Sequence, residues 1–354
     1  MTTIKSVSLA VLYVCLMTAS VAGQQCRNVH VANVKSIFAI APSPVTSNVL
    51  FYGSAEEAEG EIVTGNLFKL RLDSGEGDVV QLKAPGASNP PVPVWQPDGS
   101  SAYFETDKGI YQVSSAGGPP EMLWKGPSDG LAISPDGLWL AFWRVEKGTD
   151  TLVLYDLKKK SEARTWRVPD LFESDKGGWD MAFAHDGRAL YARTYDQTSS
   201  TPLKRLDIGS GNLTVVSPNS YAVAEGTGAV YFIAVSGTDR SLHKVVDGAH
   251  SSLVAKSFGY DSLVGSGKSR WLVSQDYRTK EMAVLDTQTD AIKPIGKHES
   301  ATVLSDGKLL LVKGAEITVG DPSCRADEQA ETVDPTTRNL HLTIPLVASS
   351  KPKP

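Results

Sequence analysis

Ala132-Ile-Ser-Pro-Asp-Gly137, followed by LWLAFW over 138–143, is the stretch whose reading decides the fold. A short apolar strand runs into an Asp-Gly turn, and a second strand with alternating apolar positions runs out of it. Glycine, and tolerably aspartate, accept the positive φ angles that such a hairpin turn demands. The same pattern stands at Val94-Trp-Gln-Pro-Asp-Gly99 with SSAYFE, and at Ala182-Phe-Ala-His-Asp-Gly187 with RALYAR. Weaker copies follow at Ala224–Gly228, Gly265–Ser269 and Leu304–Gly307, and a first copy fits Ala41 through Asn48.

The turn centres fall near residues 46, 98, 136, 186, 226, 266 and 306. That is a period of roughly 40–50 residues, the length at which four short strands make one repeating sheet. A third strand follows each turn, as in LVLYDLK (152–158), and a shorter fourth follows that. Helical periodicity is nearly absent. The expected fold is all-β, a seven-bladed β-propeller of four-stranded antiparallel blades, with six or eight blades as the alternatives. The last repeat lacks a fourth strand, and the segment 28–34 is a spare one. Pairing 28–34 antiparallel to 315–320 would close the ring and hide two strand edges; Asn339–Val347, which alternates well enough to be an added strand, is the rival for that place.

Both ends of the chain fall outside that ring. Residues 1–23 carry one cation, Lys5, an apolar run from Val7 to Met17 and small residues to Gly23. This is the pattern of a secretory signal peptide, and its apolar run is too short for the roughly 20 residues of a membrane-spanning helix. The expected organisation is a signal peptide over 1–23, a propeller over 24–324 and a flexible tail over 325–354. The protein is expected to be secreted or periplasmic, not membrane-spanning, and a monomer. Of three cysteines, Cys15 leaves with the signal. Cys26 and Cys324 then flank the ring in an oxidising compartment, and a disulfide between them is expected.

The Ser-Pro-Asp-Gly stretch at 134–137, echoed by Gln-Pro-Asp-Gly at 96–99, resembles the WD-like repeat of TolB-type propellers. That resemblance implies Asp-Gly turns on one face, longer loops on the other, and a role as an interaction platform in the cell envelope. TolB itself has six blades behind a separate domain, whereas here the repeats start at once. The motif is structural, so no ligand-binding residues carry over; Asp98, Asp136, Asp186 and Asp306 read as turn caps.

Function is therefore sought on the opposite face, because scaffolded loops carry binding sites disproportionately. Counting back from each turn places Asp129, Asp180, Asp261 and Glu299 at similar positions near the channel mouth. Four converging carboxylates would make an acidic funnel for a cation or a basic peptide. A calcium ion is the one cofactor this leaves open; no metal ligands can be named. Around the funnel stand Trp143, Arg144, Trp179, Tyr195, Tyr277 and Arg278, types favoured at interface hot spots.

The formal charge of −5, from 35 basic and 40 acidic residues, argues against a nucleic-acid coat. Gly265-Ser-Gly-Lys-Ser269 lacks the first glycine of a phosphate loop, since residue 262 is serine. No G-x-S-x-G elbow exists. These readings favour a binding scaffold for protein, peptide or glycan over the alternative, a hydrolase or lyase at the channel mouth; whether the protein is an enzyme stays open at this point.

Overall fold

The computed structural model describes residues 27–54, 64–72, 78–88, 92–171, 180–194, 201–265 and 270–320. The expected signal peptide, Cys26, Cys324 and the tail lie outside them. Strand β1 (Arg27–His30) comes first, then a sheet of β2 (Ser36–Pro42), β3 (Asn48–Ser54), β4 (Thr64–Arg71) and β5 (Asp78–Gln81) in that order, with a short β6 (Ala87–Ser88) also against β4. The next sheet holds β7 (Val94–Trp95), β8 (Ser101–Thr106), β9 (Gly109–Ser114) and β10 (Glu121–Lys125). A third holds β11 (Ser128–Ile133), β12 (Trp139–Arg144), β13 (Thr151–Asp156) and β14 (Ser161–Arg167), after which comes the four-residue helix α1 (Val168–Leu171).

The fourth sheet is longer: β15 (Met181–Phe183), β16 (Ala189–Arg193), β17 (Thr201–Asp207), β18 (Leu213–Gly226), β19 (Ala229–Ser236), β20 (Asp239–Val245) and β21 (Ser252–Ala255). Here β18 serves two repeats. Its first half, Leu213–Ser220, pairs with β17, and its second half, Ser220–Gly226, pairs with β19. Then come β22 (Trp271–Gln275), β23 (Glu281–Asp286) and β24 (Ala291–Lys297), and last β25 (Ser300–Val303), β26 (Leu309–Lys313) and β27 (Glu316–Gly320). Val264 bridges to Val273, beginning an inner strand for the sixth repeat. All pairings are antiparallel, and α1 is the one helix among the described residues.

The N-terminal strand crosses to the other end of the chain. β1 pairs with β27, Arg27 opposite Val319 and His30 opposite Glu316. It is shorter than the sequence reading had it, because the chain turns at Ala32-Asn33, where Asn33 takes φ +60°. The innermost strands form a chain of neighbours, β2 against β7, β7 against β11, and so on through β15, β18, β22 and β25, which touches β2.

The core lies between sheets. Alternation along β12 sends Leu140 and Phe142 toward the preceding sheet, with Tyr103 and Ile110, and Ala141 and Trp143 toward the following one, with Phe183 and Leu190. One cluster joins Val49, Phe51 and Leu70 of the first repeat to Leu310, Val312 and Ile317 of the last, with Val29 from β1. Polar side chains also cross between sheets: the Trp95 indole donates to the Ala41 carbonyl at 2.9 Å, and the Tyr231 hydroxyl to that of Thr287 at 2.9 Å.

The Asp-Gly turns are built as their chemistry requires. Oδ1 of Asp98, Asp136, Asp186 and Asp306 each accepts from the backbone N–H two residues on, at 2.9, 3.0, 2.9 and 3.1 Å. Gly137 sits at φ +71°, and a Cβ there would lie 2.4 Å from Oε1 of Gln96 in the preceding repeat's turn. The turns thus pack neighbour to neighbour on one face and leave the opposite face to the longer connections.

Candidate functional site

Inner strands run toward the Asp-Gly turns, so their first residues stand at the opposite end, beside the connections from second to third strands. Asp129 is the second residue of β11, Asp180 immediately precedes β15, Asp261 precedes the Val264 bridge, and Glu299 precedes β25. Trp143 and Arg144 end β12, and Tyr277 and Arg278 lie between β22 and β23. All eight therefore share one end of their sheets. Trp179 and Tyr195 lie outside the described residues.

Two of the four carboxylates meet around Tyr277. Asp180 Oδ2 accepts from Arg193 Nε and Nη2, both at 2.8 Å. Asp261 Oδ1 lies 2.6 Å from Arg240 Nη1, while its Oδ2 accepts from the Tyr277 backbone N–H at 3.1 Å. The Arg240 guanidinium in turn stands over the Tyr221 ring, 5.1 Å from its centroid, in cation–π geometry. The Tyr277 side chain is 55% exposed. Its hydroxyl is the crowded end: desolvation first, then the Asp180 and Asp261 charges, push its pKa up against a hydrogen bond with Ser262 and the Arg193 charge. One hydroxyl thus senses a carboxylate from the fourth repeat and one from the sixth.

Asp276 completes this cluster. Burial would raise its pKa, but the N–H groups of Arg278 and Thr279, the Thr279 hydroxyl and the Arg240 charge outweigh burial and hold it below the ordinary value. Arg278 itself is exposed.

The other two carboxylates belong elsewhere. Asp129 sits at a bulge opposite Trp143, close enough to raise the pKa of buried Glu105. Desolvation is the larger cause of that rise, and the Ser128 hydroxyl works against it. Glu299 accepts from the Gly314 N–H at 2.6 Å, capping the turn between β26 and β27. The mouth is therefore mixed in charge where a uniform acidic funnel was expected, with arginines against two of its four acids. Among the described residues no three His, Cys, Asp or Glu side chains stand close enough together to hold a metal ion.

Trp143 needs correction. Expected at a contact surface, it is 1% exposed and packs with Leu152, Leu154 and Phe183. The cause is that sheets cover both faces of β12, so Trp143, on the face it shares with Trp139 and Ala141, is enclosed although it stands next to the loop. Arg144 is tied down as well, with Nη1 forked onto both Glu162 oxygens at 3.1 and 3.0 Å and Nε on Glu146 at 2.8 Å. Three members of the cluster were missed by the sequence reading: Arg193, Arg240 and Tyr221. Arg193 ends the second strand of its repeat as Arg144 does in the repeat before, a signal that was legible. Arg240 and Tyr221 had none, since their partners come from other strands.

No protein-family model matches the sequence, and no curated protein does. Solved structures do match in shape. An oligogalacturonate lyase in complex with manganese is 12% identical, with TM-score 0.60 over 84% of this chain and 90% of that one. The WD40 repeats of RRP9 are 11% identical, with TM-score 0.56 over 84% and 97%. Sqt1 of Chaetomium thermophilum, bound to the N-terminus of ribosomal protein L10, is 12% identical, with TM-score 0.54 over 83% and 98%. At such identity the likeness speaks for the fold alone, and that fold is a β-propeller of the WD40-like kind.

Proposed function

We propose that the protein is a secreted or periplasmic seven-bladed propeller, TolB-like in its repeats, whose loop face binds a protein, peptide or glycan. Seven blades and a closed ring are supported by the run of inner-strand neighbours returning from β25 to β2, and by the β1–β27 pairing. The binding reading rests on one observation: an exposed tyrosine whose backbone N–H is held by one carboxylate–arginine pair lies within electrostatic reach of a second pair from a separate repeat. Tyrosine and arginine are the residues that most often carry interface energy, and paired charges on a rigid rim favour a partner presenting the complementary pattern. Sqt1, with its bound peptide segment, shows that the shape can serve such a role in another protein.

The test is comparative capture. Full-length protein and the double variant Tyr277→Ala, Arg278→Ala are each cross-linked in extracellular or envelope extract, and partners are quantified by mass spectrometry. Loss of one interface hot spot of 2 kcal/mol or more lowers recovery by roughly thirtyfold. Equal recovery of every partner by both forms overturns the reading. The second reading, a lyase, is favoured by the shape match to oligogalacturonate lyase. It predicts unsaturated product from oligogalacturonate in the presence of manganese.

A further inference from the structure

Between the sixth and seventh repeats, on the Asp-Gly side, lies a cavity of about 270 Å³ walled by Trp271, Val284, Ile295, Val303 and Leu309, with the charged Lys293 and Asp286 also in its lining. The same place between the third and fourth repeats is filled. There Trp166, Ile208 and Leu213 pack onto the core that Trp139 shares with Leu154 and Leu190. Arg164 also reaches across to donate to the carbonyls of Ile208 and Gly209.

The strand registers say why the two interfaces differ. Trp166 lies two residues beyond Arg164 in the third repeat; in the sixth, where the register slips at a bulge between Met282 and Ala283, the smaller Ile295 lies two beyond Lys293. Leu206 pairs with Leu190 on the face of the fourth repeat that turns to the third; on the corresponding face of the seventh, Leu309 pairs with Gly320, which has no side chain. A tryptophan and a leucine of the filled interface are thus replaced by isoleucine and glycine. Lys293, opposite Val284, holds the place of Arg164, opposite Leu154.

We infer that this cavity is filled by the chain's own segment Leu340–Val347. The chain leaves the described fold at Gly320, paired with Leu309 in the cavity wall, and 34 residues follow. Leu340, Leu342, Ile344 and Leu346 recur at every second position, so an extended segment turns all four to one side. The 19 intervening residues span up to about 65 Å when extended, far more than the return requires. The cavity is also below the roughly 300–1,000 Å³ typical of drug-sized ligand sites, which suits a few side chains better than a free organic molecule.

The test leaves the fold untouched by changing only the tail. Hydrogen exchange and dye binding are compared between the full chain and its variant Leu342→Asp, Ile344→Asp. Amides of 340–347 and of the cavity rim at Ala291–Lys297 should exchange roughly tenfold faster in the variant, with the remaining sheets unchanged. The apolar dye ANS should bind the variant and not the parent, and a synthetic peptide of residues 338–349 should displace it. Unchanged exchange with no gain in dye binding overturns the inference. So does rim protection that survives the substitutions, whether it depends on protein concentration (a second copy) or accompanies extra mass in native mass spectrometry (a small molecule).

Discussion

At the residue scale, neighbouring positions on the loop face have opposite consequences. Trp143 and Tyr277 are both aromatic and both stand by second-to-third strand connections, yet one is 1% and the other 55% exposed. Trp143→Ala should cost about 3–5 kcal/mol by urea denaturation, the range for emptying a large aromatic from a core. Tyr277→Ala should stay within about 0.5 kcal/mol, as surface substitutions do, while lowering partner recovery. If the two changes destabilise equally, the assignment of Tyr277 to binding loses its basis. Glu105 gives a pH-dependent case. Its folded pKa is raised by burial first and by Asp129 second, so the folded state holds a proton that the unfolded state releases. The stability this contributes is full below the ordinary glutamate value of 4.5 and is lost as pH rises through the raised folded value. Glu105→Gln should therefore flatten the decline in melting temperature above pH 4.5. A variant whose melting curve falls with pH as steeply as the parent's would show that another group governs the trend.

At the scale of elements, the Asp-Gly hairpins show what was legible and why. A turn that needs positive φ, an aspartate that can cap it and strands of period two are local requirements, written within about ten residues. All four aspartates read as caps do cap their turns. Gly137→Ala should cost about 1–2 kcal/mol from the left-handed backbone alone. A further penalty should follow, since the new Cβ meets Gln96 in the preceding turn. Removing that neighbour with Gln96→Ala should recover the second part and not the first, a difference measurable by a double-mutant cycle. What the sequence hid are pairings between repeats. Nothing local to Asp261 announces Arg240, which arrives on β20, and nothing local to Tyr277 announces Asp180. The carboxylates were visible as types at recurrent positions, but their neutralisation depended on packing between sheets, which no single repeat encodes. Trp143 was misplaced for the converse reason: its position by a loop outweighed the unbroken apolar run Leu140-Ala141-Phe142, the mark of a strand covered on both faces.

At the scale of the molecule, the question is how the two ends are held. β1 contributes four residues, of which Val29 is buried against the cluster joining the first and last repeats. A four-residue strand is a slight latch for a chain of this length, since fraying at termini costs little free energy. The register supplies a stronger candidate. Arg27, next in sequence to Cys26, opposes Val319 of β27, and Cys324 lies four residues beyond the end of that strand in sequence. We propose the Cys26–Cys324 disulfide on that ground, for a protein matured in an oxidising compartment. Linking residues about 300 apart lowers the entropy of the unfolded chain by an amount worth roughly 5 kcal/mol in the loop-closure model, and engineered bonds often deliver less. A non-reducing digest should yield one linked peptide carrying both cysteines. The variant Cys26→Ser, Cys324→Ser should unfold at lower denaturant, by about 2–5 kcal/mol, without a change in its native circular dichroism. A purified, non-reduced protein with two titratable thiols would leave the ends joined by β1 alone. In that case Val29→Asp, which sets an unpaired charge against Ile317, should open the last repeat before the rest, and unfolding should lose its single transition.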